Sequence, residues 1–270
     1  MSCHPRVTEW ATTLQTPLPP LSKPQIMVLA WWSLGMVLAR SCARTALSAC
    51  LAPWLHGKEN TVRQRWREFC YEAPATRGKA RQAVVVETGC APLLAWVLSR
   101  WQGTQLALAL DATTLGDRFT VLVISVVYRG CAIPIAWTVL TANVEKAWRP
   151  EWLRMRRQVY RAVPPTWMVI VLADRGLYAR GRFRRMTRLG WHPFLRINSG
   201  GTFRPTGEQQ GVPLKTLVPQ PGCPWSGTGV AFKGRQRRLR CTLLARWEPG
   251  YQDPGLIVTE LPPAVGEVGG

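Results

Sequence analysis

Two apolar runs that each lead into an aspartate constrain the fold of this chain most strongly. LALAL precedes Asp111, and WMVIVLA, residues 167–173, precedes Asp174. Both runs have the length and continuous hydrophobicity of a buried strand. An uncompensated carboxylate at the end of such a strand is costly. A turn or a helix cap would accommodate either aspartate by itself, whereas adjacent strands would bring both carboxylates to one hard divalent cation.

The pattern around these runs predicts an α/β fold with a mixed sheet and flanking helices. Three strands with short connections are predicted first, which indicates an antiparallel meander: residues 105–111, 119–127 and 131–140. A helix over 150–163 ends at Pro164 and Pro165. The strand at 167–173, reached by that helix, is then parallel to the first. A helix over 181–189 and a strand over 193–197 follow.

The two aspartate segments also carry a family resemblance. LALALDATTLGDRF and IVLADRGLYA resemble the first and second catalytic segments of DDE transposases of bacterial insertion sequences. LIVTELPP, residues 256–263, resembles a late core strand of the same family, so the resemblance covers roughly residues 105–263. It implies a ribonuclease-H-like core with a β-rich insertion, and the predicted order of elements fits that core.

The resemblance implies a function and a site. It makes Asp111 and Asp174 the first two catalytic and metal-binding acids of an enzyme that cuts DNA phosphodiesters with Mg²⁺, or with Mn²⁺ in its place. The expected partners are the DNA of the element ends and of the target, with a homodimer on DNA. The expected location is the cytoplasm of a bacterium, in association with the nucleoid.

The third acid of the family has no counterpart in the sequence. In the family it lies on a helix that carries Tyr, then Arg three residues later, then Glu four residues further on. None of the five tyrosines starts that spacing, and Glu260 and Glu267 lie outside any convincing helical pattern. We therefore expect a truncated or degenerate copy that performs no strand transfer by itself. A catalytically inactive DNA-binding regulator or inhibitor derived from a transposase is the alternative, and another nuclease with two aspartates is a third.

The charge of the chain points independently to nucleic acid. The chain has 35 basic and 15 acidic residues, a net charge of +20, and the excess is spread along its length. Such a charge usually accompanies a polyanionic partner. The candidate DNA-binding residues lie on a basic helix over 58–73 and in two basic runs: Arg63 and Arg67; Arg175 and Arg180; Lys233, Arg235, Arg237, Arg238 and Arg240. Each group is also compatible with an ordinary solvated surface, and Arg175 is also placed to pair with Asp174.

The basic helix has a predicted cap and a predicted apolar face. Asn60 or Thr61 is the expected cap. Val62, Trp66, Phe69 and Cys70 are expected to share one face, which leaves the arginines outside.

Composition divides the chain into four predicted regions. These are a helical DNA-binding domain over 1–100, the first part of the core over 101–198, a β-rich insertion over 199–252 with a hairpin at 229–247, and a return to the core over 253–270. Residues 1–24 are polar and rich in proline, and we expect them to lack a core of their own.

Cysteine usage and hydropathy indicate a cytosolic protein. None of the eight cysteines forms a Cys-x-x-Cys pair and only three histidines are present, so no structural zinc site is expected. The apolar run at 26–39 is shorter than a membrane span of about 20 residues. It predicts a buried helix, and no membrane partner is expected.

Overall fold

Helices dominate the first hundred residues of the chain, and strands dominate the rest. The computed structural model describes residues 5–70, 83–142 and 148–263. The chain divides into two compact units, Met1–Trp101 together with Gln158–Ala162, and Gln102–Arg157 together with Val163–Gly270.

The first unit is built from amphipathic and apolar helices. They are α1 (Pro5–Gln15), α2 (Lys23–Ala39), α3 (Arg44–Leu51), α4 (Glu59–Cys70) and α5 (Val86–Leu98). Their core is a cluster to which α1 contributes Val7, Ala11 and Leu14. These three residues recur at the spacing of one helical face. The expectation that residues 1–24 lack a core was therefore wrong, because α1 buries its apolar face against the helices that follow.

Helix α4 is amphipathic, as its sequence predicts. Val62 and Trp66 are buried, Phe69 is half-buried and Cys70 is exposed, so the buried face is narrower than expected. The Trp66 ring packs 5.9 Å from that of Trp32. The helix begins at Glu59, so neither Asn60 nor Thr61 precedes it as a cap.

Among the described residues, no single helix has the length and hydropathy needed to cross a membrane. Helices α2 and α3 meet that test only when taken together, and the pair is bent by 94°.

The second unit contains a ten-stranded sheet and two helices. The strands are β1 (Gln105–Leu115), β2 (Phe119–Tyr128), β3 (Cys131–Thr141), β4 (Met168–Ala173), β5 (His192–Arg196), β6 (Thr202–Pro205), β7 (Val212–Pro213), β8 (Pro224–Ala231), β9 (Leu239–Arg246) and β10 (Gly255–Thr259). The helices are α6 (Trp148–Ala162) and α7 (Arg180–Arg188).

The strand order identifies the fold of this unit. The sheet runs β3-β2-β1-β4-β5-β10-β9-β8-β6-β7. Strands β1, β2 and β3 form an antiparallel meander, and β4 and β5 lie parallel to β1. A meander of three strands followed by two parallel strands, each reached through a helix, is the ribonuclease-H-like arrangement. The predicted fold class is confirmed.

The first hairpin is longer than predicted. The sequence suggested a turn directly after Asp111, but β1 continues to Leu115, which pairs with Phe119. Thr113 and Thr114 suit the extended conformation because they are β-branched. The turn is taken at Gly116, whose φ of +56° favours glycine.

Strands β6 to β9, which lie in the segment predicted as a β-rich insertion, join the same sheet. Strand β9 pairs with β10, and β10 pairs with β5, so the segment extends the sheet beyond its parallel part. Gly229 permits this close pairing, since a Cβ at that position would lie 2.2 Å from the Arg204 carbonyl oxygen.

The parallel strands have one covered face and one more open face. Leu106 and Leu108 of β1 and Val171 of β4 are buried, and the last two line a cavity with Trp152 of α6 and Met186 of α7. The alternating residues of the same strands, such as Ala109 and Leu172, are only half-buried. Side chains alternate along a strand, so Asp111 and Asp174 continue the more open face.

Candidate active site

Asp111 and Asp174 are neighbours at one edge of the sheet. In the parallel pairing of β1 with β4, Leu110 is the partner of Ala173, and the two aspartates are the next residues on each side. Neighbouring strands lie about 4.8 Å apart, and residues in register project from the same face. The register therefore sets the two carboxylates side by side, as the hypothesis of a shared cation requires.

The surroundings of the two aspartates do not match the turn or the cap that the sequence left open. Asp111 lies inside β1, and its Oδ2 accepts a hydrogen bond of 2.7 Å from the Thr113 hydroxyl. Asp174 precedes a short 3-10 turn over Arg175–Leu177, but its side chain makes no capping hydrogen bond. Its Oδ1 instead lies 3.6 Å from the Arg196 guanidinium. Both carboxylates are exposed and accessible to a cation.

The pair offers oxygen ligands of the kind that Mg²⁺ binds. Magnesium is commonly held by one or two carboxylates, while water and substrate complete its coordination. Within residues 5–70, 83–142 and 148–263, no group of three His, Cys, Asp or Glu side chains is placed to hold a metal. The candidate site among these residues is therefore a pair of carboxylates.

Glu260 lies at the opposite end of the parallel strands. Its Oε1 is 2.9 Å from His192 Nδ1, at the start of β5, whereas Arg196 at the end of β5 is level with Asp174. Four residues of strand correspond to about 13 Å, so Glu260 is not a third ligand beside the pair. Burial raises the pKa of its carboxyl group, against the lowering effect of hydrogen bonds that include one from His192. Glu267 lies outside the described residues.

Two basic runs that are distant in sequence meet in the structure. Loop 232–238, which joins β8 to β9, lies against the start of α7. Arg180 donates a hydrogen bond to the Gln236 carbonyl, and the ring of Tyr178 packs 5.4 Å from that of Phe232. Burial, with a smaller effect of Cys241, raises the pKa of Tyr178 to about 12, so its hydroxyl stays neutral at physiological pH.

This contact assembles a single basic surface close to the carboxylates. Arg175 directly follows Asp174 and is exposed, and Arg180 opens α7 five residues further on. The remaining candidate DNA-binding residues of this surface are all exposed: Lys233, Arg235, Arg237, Arg238 and Arg240. Together with Arg175 and Arg180, they are called the basic surface below.

The arginines of α4 are placed in the first unit as the sequence predicts. Arg63 and Arg67 are both exposed, and Arg63 donates a hydrogen bond of 2.7 Å to Asn60 Oδ1. Their role in binding DNA stays a prediction.

Sequence reasoning missed Arg196. It is the residue that contacts Asp174, whereas the sequence had suggested Arg175 as one possible partner. The available signal was the parallel order of the strands, which aligns the ends of β4 and β5. The number of residues from each predicted strand start to its end was not known well enough to use that signal.

The comparisons with known proteins give structural likenesses without a sequence match. No protein-family model matches the chain, and no curated protein matches it. A piggyBac transposase synaptic complex with hairpin DNA is similar at a TM-score of 0.47 and 8% identity, over 89% of this chain and 52% of that one. The chain spans about half the length of that protein.

Two structures of Mos1 are also similar. The strand transfer complex has a TM-score of 0.22 and 14% identity, over 62% of this chain and 56% of that one. The transposase paired-end complex with the left transposon end has a TM-score of 0.24 and 16% identity, over 60% and 56% respectively.

Proposed function

We propose that this chain is a DNA transposase of the DDE type, from a bacterial insertion sequence, that acts on phosphodiester bonds with Mg²⁺. The observation that carries the proposal is the register that sets Asp111 beside Asp174 in a sheet of ribonuclease-H-like order. The same two residues match the first two acids of the family motifs. Two independent arguments, one from motif and one from geometry, therefore select the same pair.

Asp111 and Asp174 are the residues that would hold the metal ion, and their donor atoms fit it. Bound magnesium, or manganese in its place, would stabilise charge on the phosphate and favour attack by water or a 3′-hydroxyl. Thr113 fixes the Asp111 carboxylate through its hydrogen bond, and Arg196 holds the charge of Asp174. The basic surface orients the DNA backbone beside them, because arginine binds phosphate in a bidentate manner.

The proposal extends to partners and location. The net charge of +20 and the basic surface fit the DNA of the element ends and of the target. A homodimer on that DNA and a place on the bacterial nucleoid in the cytoplasm belong to the same proposal. The mass of the complex with DNA in solution tests the homodimer, and a mass of one chain per DNA end would contradict it.

A DNA-binding regulator derived from a transposase is the second candidate. The observation that favours it is the position of Glu260, which leaves two acids at the site among the described residues. A site with two ligands of a set of three binds metal less tightly and reacts more slowly, while the basic surface stays intact. Such a chain would occupy DNA and block an active enzyme.

Metal binding and DNA cleavage by the purified chain test the proposal. Asp111→Asn and Asp174→Asn are each expected to abolish Mn²⁺ binding measured by calorimetry. Asp117→Asn, in the turn of the same hairpin, is the matched control and should bind Mn²⁺ as the wild type does. Equal binding by all four proteins, or none by the wild type, would reject the metal site.

The cleavage measurement separates the two candidates. We expect no strand transfer by this chain alone, because a third acid is absent beside the pair among the described residues. Mg²⁺-dependent nicking of plasmid DNA that Asp111→Asn abolishes would contradict this expectation and favour the active enzyme. DNA binding and metal binding without nicking would favour the regulator.

A further inference from the structure

Three charged residues stand in one row across the parallel strands. Strand β5 pairs with β4 so that Leu195 is the partner of Ala173, and Arg196 is therefore level with Asp174. Asp111 occupies the next place on the other side. The Arg196 Nη1 atom lies 3.6 Å from Asp174 Oδ1, and the two side chains are 46% and 63% exposed. Both groups can therefore be reached by solutes without a change in the fold.

The contact has a clear electrostatic reason. Two adjacent carboxylates repel each other, and a guanidinium beside one of them offsets part of that repulsion. An exposed ion pair of this kind is weak and easily exchanged. A divalent cation at the carboxylates would take over the compensation, and it would also repel the guanidinium.

Arg196 also lies at the border of a groove on the same sheet. Beyond Arg196, the groove passes over Ile257 of β10 and Leu244 of β9, and Trp225 and Tyr251 contribute aromatic side chains to it. A guanidinium that leaves Asp174 therefore stays between the carboxylates and a surface with apolar and aromatic walls. A nucleic-acid strand offers both the phosphate for the arginine and the bases for such walls.

We propose that Arg196 is a positioning residue that exchanges partners. It pairs with Asp174 when no divalent cation is bound, and it turns to a DNA phosphate when a cation occupies the carboxylates. This inference rests on the proposed function, because it assumes that Asp111 and Asp174 bind a divalent cation. It adds that Arg196 competes with the cation and couples its binding to that of DNA.

The first test measures Mn²⁺ binding in the absence of DNA. Arg196→Gln removes the competing charge, so we expect it to bind Mn²⁺ about three- to fivefold more tightly than the wild type, the effect of an exposed ion pair. Arg196→Lys keeps the charge and should stay close to the wild type. Arg246→Gln is the matched control, because Arg246 borders the same groove but pairs with Glu248 at 2.6 Å. Its Mn²⁺ affinity should not change.

The second test measures how salt affects DNA binding with and without Mn²⁺. One phosphate contact contributes about 0.9 to the slope of log affinity against log salt concentration. With Mn²⁺, the slope of Arg196→Gln should therefore be lower than that of the wild type by about 0.9. Without Mn²⁺, the two slopes should agree, because Asp174 holds Arg196 in the wild type.

Asp174→Asn separates this inference from the proposed function. If Asp174→Asn abolishes Mn²⁺ binding while Arg196→Gln matches the wild type in both measurements, the role of Arg196 is rejected and the metal site stands. If Asp174→Asn binds Mn²⁺ normally, the proposed function itself is rejected. In the absence of metal, Asp174→Asn should also raise the salt slope by about 0.9, since it releases Arg196 to DNA.

Discussion

At the scale of single residues, acids at the two ends of the parallel strands have different surroundings. Asp111 and Asp174 are exposed at one end, where their charge can attract a cation. Glu260 is half-buried at the other end, where it contacts His192 and has an Oε2 atom without a hydrogen-bond partner. Burial of that kind disfavours the charged form of a carboxyl group. Exposure suits a binding site, whereas the position of Glu260 ties its charge to the stability of the fold.

The raised pKa of Glu260 predicts how stability depends on pH. The folded protein holds this proton more tightly than the unfolded chain, whose carboxyl has its ordinary pKa near 4.5. The stabilisation is complete below that value and is lost as the pH rises through the folded pKa. We expect the free energy of unfolding of the wild type to fall across this window, and Glu260→Gln to remove part of the fall.

Urea denaturation at a series of pH values from about 4 to 8 measures the effect, since linear extrapolation gives the free energy of unfolding. Glu208→Gln is the control, because Glu208 is exposed. Its profile should follow that of the wild type. A Glu260→Gln profile parallel to that of the wild type would show that the carboxyl does not titrate differently in the folded state.

At the scale of elements, the sequence predicts the parallel strands well. The start and end of β4 and β5 lie within one residue of the predicted bounds, because each is a short apolar run between clear breaks. The crossover through α6 made β4 parallel to β1, which placed Asp111 and Asp174 near each other before any coordinates. The neighbour of β5 was different, since β10 is distant in sequence and its pairing depends on the whole sheet.

The contacts that the sequence could not supply are those between loops. Nothing local links Arg180 to Gln236, because the contact depends on how β8 and β9 extend the sheet. Arg196 was missed for a similar reason, since its register with Asp174 requires strand bounds to within one residue. The core role of α1 was missed although its signal was present, in the helical spacing of Val7, Ala11 and Leu14.

Loop 232–238 is expected to bind DNA as a charged element. Neutralising Lys233, Arg235, Arg237 and Arg238 to Gln should lower the slope of log affinity against log salt by up to about 3.6, at about 0.9 for each phosphate contact. The loop lies against α7 through Phe232 and Gln236, which the variant leaves in place. The fold should therefore be unaffected.

Fluorescence anisotropy with labelled duplex DNA between 50 and 200 mM salt measures that slope. The control exchanges lysine and arginine at the same four positions, which keeps the charge and should keep the slope. If the neutral variant has the slope of the wild type, the loop is a solvated surface and DNA binds elsewhere.

At the scale of the whole molecule, charge and chemistry are carried by different residues. The net charge of +20 comes from basic residues in both compact units, whereas the candidate chemistry depends on two carboxylates in one of them. DNA binding through many phosphates is steeply dependent on salt, with a loss of about 10³- to 10⁵-fold between 50 and 200 mM for six to ten contacts. Binding should therefore survive the loss of the site.

The double variant Asp111→Asn with Asp174→Asn tests this separation. It raises the formal net charge from +20 to +22, since two negative charges are removed, and both removed charges lie beside Arg175 and Arg196. We expect its DNA affinity without metal to equal or exceed that of the wild type in the anisotropy measurement. Mn²⁺ should change the DNA affinity of the wild type but not that of the double variant, because only the wild type retains the carboxylates.

The thermal unfolding midpoint of each protein without DNA is the control for the fold. Both aspartates are exposed, so the midpoint should stay close to that of the wild type. A double variant that folds normally but no longer binds DNA would mean that the carboxylates are part of the DNA surface itself. The assignment of DNA binding to the arginines and of metal binding to the aspartates would then be wrong.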